Sequence, residues 1–163
     1  MGLLLRQIAA FGSLTKEVIM IPDLNTARRP LEEGWQRNPG PWKNHSLTAA
    51  HCAKTIAERL KMRGNNIDPE KACILGMLHD IGRREGVTWL AHAIDGYDYL
   101  MSLGYEKAAR ICLTHSFPEK DVNTYIGRHD ISAEDEQRLV TLLQSFEDKM
   151  GCQVEEVVGI SPL

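Results

Sequence analysis

The chain has 163 residues, of which 43% are hydrophobic and 25% are charged, an ordinary balance for one globular domain. Its formal net charge of −3 excludes the strongly basic surface that nucleic-acid binding requires. No stretch reaches the roughly 18 apolar residues of a membrane span, and the first residues lack the features of a signal peptide. We therefore expect a cytoplasmic protein without nucleic-acid or membrane partners, and its four cysteines, which form no CxxC motif, are expected to be reduced thiols.

Residues 1–40 give the weakest pattern. Residues 8–21 are compatible with one helix. Between residues 22 and 41 prolines and glycines recur, and this composition predicts loop and short turns rather than a helix. The residues responsible are Pro22, Pro30, Gly34, Pro39, Gly40 and Pro41.

Two helices are predicted in the following segment. The first begins near Asn44 or Ser46 and ends at Gly64, because apolar residues recur there at three- and four-residue spacing. Its predicted inward stripe consists of Leu47, Ala50, Ala53, Ala57 and Leu60. The second begins with Asp68 as its cap and Pro69 in its first turn, and Gly82 is its predicted stop. Residues 72–78 carry no charge, so this helix is expected to be central and buried.

Three further helices are predicted over residues 88–103, over residues 105–115 and from Ser132 onward, where Asp135 fits a capping box. The inward stripe of the last helix consists of Leu139, Leu142, Leu143, Phe146 and Met150. No stretch alternates convincingly with a period of two. The predicted fold is therefore all-α, a compact bundle of five to six helices that forms one domain over residues 1–163.

The dipeptide His79-Asp80 is the most informative feature for function, because it follows the uncharged part of the central helix. A buried carboxylate needs a cationic partner. Either a metal ion or an arginine such as Arg83 could supply the positive charge, and the dipeptide alone leaves both interpretations open.

The other histidines favour a metal. His45 and His115 fall on or beside inward faces of their predicted helices, whereas the orientation of His92 is undecided. His51 shares a face with charged residues and is interpreted as solvated, and His129 is placed in a polar loop. Several inward histidines on separate helices of a small bundle, together with a buried carboxylate, are typical of a metal site.

The order in which these histidine and aspartate residues follow one another along the chain resembles that of the HD superfamily of metal-dependent phosphohydrolases. The segments that carry the resemblance are Asn38-Pro39-Gly40-Pro41-Trp42, Asn44-His45-Ser46-Leu47, His79-Asp80-Ile81-Gly82-Arg83, His92-Ala93-Ile94-Asp95-Gly96, Ile111-Cys112-Leu113-Thr114-His115 and Phe146-Glu147-Asp148-Lys149-Met150. They define an expected core over residues 38–150, with residues 1–37 as an N-terminal extension that packs on it.

The resemblance implies a ligand set. The defining ligands of the family fall on His45, His79, Asp80 and Asp148. The additional histidines of its two-metal members fall on His92 and His115, and Asp80 would bridge the two ions. On an ideal helix Asp148 points away from the apolar stripe, and Asp135 is its competitor within the stripe. Arg83 stands where Lys is common in the family, and Ser116 stands where some members have a second histidine.

The resemblance further implies hydrolysis of a nucleotide or another small phosphoester by a metal-activated hydroxide, with Asp80 as the most critical residue. One or two divalent ions of Fe, Mn, Zn, Ni or Co suit mixed imidazole and carboxylate ligands. The alternatives are a di-iron oxygenase of the same fold and a non-catalytic module that binds a nucleotide. The sequence also leaves a homo-oligomer open.

Arg83 and Arg84 are candidates for binding the substrate phosphate, with Arg83 preferred. Their structural alternative is a surface pair that neutralises Glu85 or completes the helix end. Trp35, Trp42 and Trp89 are interpreted as packing anchors near the site.

Overall fold

Six α-helices and two short 3-10 turns make up the regular structure in this computed structural model, which describes residues 21–117 and 121–158, with side chains up to residue 146 in the last helix. The helices are α1 (Leu24–Arg37), α2 (Trp42–Met62), α3 (Pro69–Leu78), α4 (Ala91–Ser102), α5 (Glu106–Thr114) and α6 (Ala133–Val158). Within these ranges there is no β-strand, and the predicted all-α bundle is confirmed. No helix in the described ranges has the length and apolar character needed to cross a membrane.

Helix α1 corrects the prediction of loop and turns for residues 22–41. The carboxylate of Asp23 accepts hydrogen bonds from the amides of Asn25 and Thr26 and so caps the helix. A proline inside a helix costs about 3 kcal/mol. The cap contributes about 1 kcal/mol and the burial of Leu31, which is 1% exposed, about 2 kcal/mol, so the helix continues through Pro30. The prediction for residues 8–21 lies outside the described residues except for Ile21.

Helix α2 begins at Trp42, slightly earlier than predicted, because the short connection after α1 is held by a hydrogen bond of 2.8 Å from Trp42 Nε1 to the carbonyl of Asn38. The predicted stripe was wrong at its first position, since Leu47 is 39% exposed whereas Ser46 is fully buried. The inward face at this end follows Trp42, Ser46 and Ala50, which lie four residues apart on one side of a helix.

Helices α2 and α3 pack against each other closely at Gly76. A Cβ atom on Gly76 would lie 2.9 Å from both the carbonyl oxygen of Ala49 and Cα of Ala50. His45 lies one turn before Ala49, and His79 lies one turn after Gly76. The close packing therefore brings these two histidines next to each other.

Helix α3 has the predicted cap, because the carboxylate of Asp68 accepts hydrogen bonds from the amides of Glu70 and Lys71. The helix ends at Leu78, before the predicted stop at Gly82, and a 3-10 turn follows over Ile81–Glu85. A Cβ atom on Gly82 would lie 1.9 Å from the carbonyl oxygen of His92. Only glycine allows α4 to cross this turn so closely, and the crossing places His92 beside the end of α3.

Helices α5 and α6 complete the core with Ala108, Ala109, Cys112, Leu113, Leu139, Leu143 and Phe146, each at most 5% exposed. The predicted cap of α6 is present, since the amide of Asp135 donates to Ser132 Oγ over 3.0 Å. The thiols of Cys52, Cys73 and Cys112 are free, as expected.

Candidate metal centre

Asp80 lies at the centre of a cluster of four histidines that come from separate helices. Its carboxylate is 5% exposed. Its Oδ2 atom lies 3.6 Å from Nε2 of both His45 and His79. Its Oδ1 atom lies 3.2 Å from Nε2 of His92 and 3.5 Å from Nε2 of His115. Each oxygen of one carboxylate thus faces its own pair of imidazoles.

The two imidazole pairs have the spacing of metal ligands. The Nε2 atoms of His45 and His79 are 3.1 Å apart, and those of His92 and His115 are 3.3 Å apart. Two nitrogens bound at about 2.1 Å to one ion of roughly tetrahedral geometry lie about 3.4 Å apart. In each pair the two nitrogens and an oxygen of Asp80 all lie within 4.8 Å of one another. The geometry therefore offers two three-ligand groups that share Asp80.

Hydrogen bonds to the backbone orient three of the rings. His79 Nδ1 donates to the carbonyl of Gly76 over 2.7 Å, and His115 Nδ1 donates to the carbonyl of Ile111 over 2.9 Å. His92 Nδ1 donates to the carbonyl of Trp89 in the same way. With the proton on Nδ1, the lone pair of Nε2 points into the cluster, which is the arrangement of metal-binding histidines.

This arrangement passes a simple test of fit to a cation. The lone pairs of His92 and His115 face each other across 3.3 Å and cannot hydrogen-bond in that form, so a proton or a metal ion is needed between them. The four imidazoles and one carboxylate are a ligand set suited to a divalent transition metal.

The protonation of the central residues suits metal binding. Burial alone would raise the pKa of Asp80, but its contacts with His115 and His92 and the positive charge of Arg83 outweigh burial and hold the pKa well below its usual range. Burial lowers the pKa of His79. The carboxylate is therefore ionised and this imidazole neutral at physiological pH, as metal ligands must be.

The two candidate phosphate-binding arginines have different surroundings. Arg83 Nε lies 3.1 Å from Asp80 Oδ2, and its Nη1 donates to the carbonyl of Thr88. Arg83 also lines a cavity of about 480 Å³, whose other walls are formed by Asn38, Pro39, Gly40, Pro41, Trp42, His45, Asp80, Gly86 and Val87. Because His45 and Asp80 belong to the lining of this cavity, the cavity adjoins the histidine cluster, and Arg83 lies at their common wall.

Arg84 is not brought to the cluster. Its guanidinium packs 3.7 Å from the centre of the Tyr99 ring, and its Nε lies 3.4 Å from Glu85 Oε1. Consecutive side chains of a 3-10 turn point about 120° apart, so Arg84 faces α1 and α4 when Arg83 faces Asp80. The contact with Glu85 agrees with the structural alternative considered for the pair, but the Arg84 side chain is largely buried rather than at the surface.

The remaining predicted residues are distributed as follows. The side chain of Asp148 lies outside the described residues, although its backbone belongs to α6. Asp135 accepts a hydrogen bond from the Ser132 hydroxyl and serves the cap of α6. His51 is exposed on α2, and His129 lies in a loop, 3.3 Å from Glu136, as expected. Trp42 is buried beside the cavity, whereas Trp35 and Trp89 are 38% and 51% exposed and are not buried anchors.

Two residues at the site were not assigned a role from the sequence. Asn38 Nδ2 donates to the carbonyl of Arg83 over 2.7 Å and ties the loop before α2 to the arginine-bearing turn. Ser116 Oγ lies 3.1 Å from His115 Nε2, which is closer than His92 Nε2 at 3.3 Å or Asp80 Oδ1 at 3.5 Å. The contact between Asn38 and Arg83 joins residues 45 positions apart. Its only local signal in the sequence was the proline-rich segment that begins after Asn38.

A family model described as HD domain matches residues 42–147 of the chain. The matched segment contains all four clustered histidines and Asp80, and Asp148 directly follows its end. No curated protein and no solved structure gives a significant match.

Proposed function

The chain belongs to the HD domain family, and on this premise we propose that it is a metal-dependent phosphohydrolase that cleaves a nucleotide or another small phosphoester. The observation that carries the proposal is the placement of four imidazole nitrogens, in two pairs, around the two oxygens of the Asp80 carboxylate. Two-ion sites of this kind serve the displacement of phosphoesters.

The proposal assigns the residues to two ions. His45, His79 and Asp80 would hold one ion, and Asp80, His92 and His115 would hold the other. Asp148 is proposed as a further ligand. Fe, Mn, Zn, Ni and Co all suit these donors. When bound, such ions activate water near neutral pH and offset negative charge on phosphoryl oxygens.

The remaining chemistry comes from the chain's own side chains. Arg83 directs its guanidinium to the cavity wall beside Asp80, where it would bind a phosphoryl oxygen of the substrate. Asn38 holds the backbone of Arg83, so the guanidinium starts from a fixed position. The buried position of Asp80 keeps water from screening its charge, which strengthens its hold on cations.

The proposal is tested by loading the protein with the metal found by elemental assay and measuring phosphate release from a panel of nucleotides and simple phosphoesters. We expect release by the wild type and none by Asp80→Ala. A matched control is Asp98→Ala, which removes an exposed carboxylate of α4 that pairs with Arg138 and lies away from the cluster; it should keep full activity.

Three results would contradict the proposal. Turnover that survives in Asp80→Ala would remove Asp80 from the reaction. Substrate-dependent oxygen uptake by the iron-loaded protein, without phosphate release, would establish the oxygenase alternative. Thermal stabilisation by nucleotides without any turnover would establish a binding module instead.

A further inference from the structure

The second His-Asp pair of the sequence, His129-Asp130, lies in the loop between α5 and α6 and is not part of the metal cluster. Its carboxylate nevertheless makes two contacts with the start of α4. Asp130 Oδ2 accepts a hydrogen bond of 2.8 Å from the amide of Trp89, and Asp130 Oδ1 accepts one of 3.1 Å from the amide of Ala91. The amide of Leu90, between them, donates to the carbonyl of Arg128.

The hydrogen bonds to Asp130 take the place of a side-chain cap from the N-terminal end of α4 itself. Helix α4 begins after Leu90, whose side chain cannot accept a hydrogen bond, and no side chain of its own segment caps it. The first amides of a helix need acceptors, and a carboxylate there also interacts favourably with the helix dipole. A loop about 40 residues away in sequence thus supplies what is normally supplied locally.

The backbone of Trp89, which Asp130 holds, also orients the ring of His92. The carbonyl of Trp89 accepts the hydrogen bond from His92 Nδ1, and the amide of Trp89 is held by Asp130. His92 is 2% exposed, and its Nε2 lies 3.2 Å from Asp80 Oδ1. A series of hydrogen bonds therefore runs from Asp130 through the Trp89 backbone to His92, whose Nε2 atom faces the central carboxylate.

The charge state of Asp130 agrees with this role. The partial burial of its carboxyl group would raise the pKa of Asp130, but the hydrogen bonds from the Trp89 and Ala91 amides outweigh it and lower the pKa. The group is ionised at neutral pH and is the stronger acceptor for that reason.

We propose that Asp130 is a positioning residue for His92, which it orients through the Trp89 backbone, and that it thereby supports the ion held by Asp80, His92 and His115. The inference rests on the proposed metal centre for its effect on ion binding. Groups that hydrogen-bond directly to metal ligands typically contribute about 10- to 100-fold to metal affinity. Because Asp130 acts on His92 through the Trp89 backbone, we expect the lower end of this range. His45 and His79 are not part of this series, so the ion that they would hold together with Asp80 should depend less on Asp130.

The test compares Asp130→Ala with Asp130→Asn and with a matched control, Asp121→Ala. Asp121 is an exposed aspartate of the same interhelical segment, and its carboxylate accepts hydrogen bonds from the amide and the side chain of Asn123 within a 3-10 turn. Co²⁺ titration followed by calorimetry and visible absorption gives the affinity of each ion. Nitrogen NMR of the histidine rings in the metal-free protein reports which nitrogen of His92 carries the proton.

We expect Asp130→Ala to lower the affinity for one of two Co²⁺ ions by about 10-fold and to leave the affinity for the other within twofold. In the metal-free protein the His92 Nδ1 proton should lose its protection against exchange. Asp130→Asn keeps one acceptor oxygen and should fall between the wild type and Asp130→Ala, and Asp121→Ala should match the wild type in both readouts.

The proposal is overturned if Asp130→Ala binds both ions as the wild type does, or if both ions weaken equally together with a general loss of stability. Failure of the metal centre itself would be distinct, because the wild type would then bind no Co²⁺. The NMR comparison of metal-free proteins would still decide whether Asp130 orients His92. If Asp130→Ala does not fold, the conservative Asp130→Asn variant carries the same comparison.

Discussion

The Nε2 atoms of His92 and His115 face each other across 3.3 Å, although each ring donates its Nδ1 proton to a backbone carbonyl about one turn earlier. The backbone thus holds two lone pairs at a distance that is unfavourable without a cation between them. The Nε2 atoms of His45 and His79 lie 3.1 Å apart at the other oxygen of Asp80, and there the backbone orients the His79 ring. The folded chain has this arrangement before any ion binds, so metal binding should stabilise the folded chain.

Chelation is predicted to lower thermal stability. A ligand present at 100 times its dissociation constant stabilises the folded state by about 2.7 kcal/mol, which corresponds to a rise of roughly 5–10 °C in Tm for a chain of this size. Thermal unfolding followed by circular dichroism, before and after EDTA dialysis and after Mn²⁺ or Zn²⁺ is restored, measures the shift. An unfolding midpoint that responds neither to the chelator nor to added metal would show that no ion is bound at the cluster.

Arg83 and Arg84, which follow the His79-Asp80 pair, are predicted to have different roles. Arg83→Ala should lower kcat/KM by about 10- to 100-fold, because a charge-assisted hydrogen bond to phosphate contributes about 1.5–3 kcal/mol. Arg84→Ala should leave kcat/KM within twofold and lower the free energy of unfolding by about 1 kcal/mol, since its guanidinium stacks on Tyr99. Steady-state kinetics with metal content measured in parallel distinguishes the two, and an equal loss of kcat/KM in both variants would place Arg84 at the substrate.

Gly76→Ala is predicted to disturb the metal centre from a distance. The added Cβ would lie 2.9 Å from backbone atoms of Ala49 and Ala50, which cannot yield as a flexible side chain does. Helices α2 and α3 must move apart, at a cost of about 1–3 kcal/mol. Because His45 and His79 lie one turn from this contact, their ion should weaken more than the ion at His92 and His115.

Gly64→Ala is the matched control for that variant. Gly64 has a φ of +91° and no atom within 4 Å of an added Cβ, so alanine there introduces backbone strain without a clash. It should lower stability by about 1 kcal/mol and leave metal affinity unchanged. Metal titration that gives the same affinities for Gly76→Ala and Gly64→Ala would show that close packing of α2 on α3 does not set the His45–His79 spacing.

Most helices could be predicted from the sequence because their signals are local. Asp68 with Pro69 and Ser132 with Asp135 mark helix starts by capping geometry that the structure confirms. Helix α1 was missed because Pro30 was taken as a breaker, whereas the Asp23 cap and the buried spacing of Ala27, Leu31 and Gly34 outweigh it. That balance depends on burial against α3 and the following turn, which a local pattern does not contain.

The clustered histidines could be identified from their order in the sequence and from the resemblance to the family. The contacts that bring them together could not be predicted in this way. Gly76 and Gly82 permit close crossings between elements of the fold, and the local sequence around neither glycine indicates this role. The same holds for Asn38, which reaches Arg83 across 45 positions, and for Asp130, which reaches Trp89 across 41. Such partners are set by tertiary packing and have no periodicity of their own.

The most direct test of the account is a count of metal ions per chain in the purified wild type and in single variants of the cluster. We predict two ions in the wild type, one in His45→Ala and one in His115→Ala, because each variant removes a ligand of one group only. Asp80→Ala, which removes the shared carboxylate, should bind none. An Asp80→Ala protein that is folded and holds as much metal as the wild type would contradict the account.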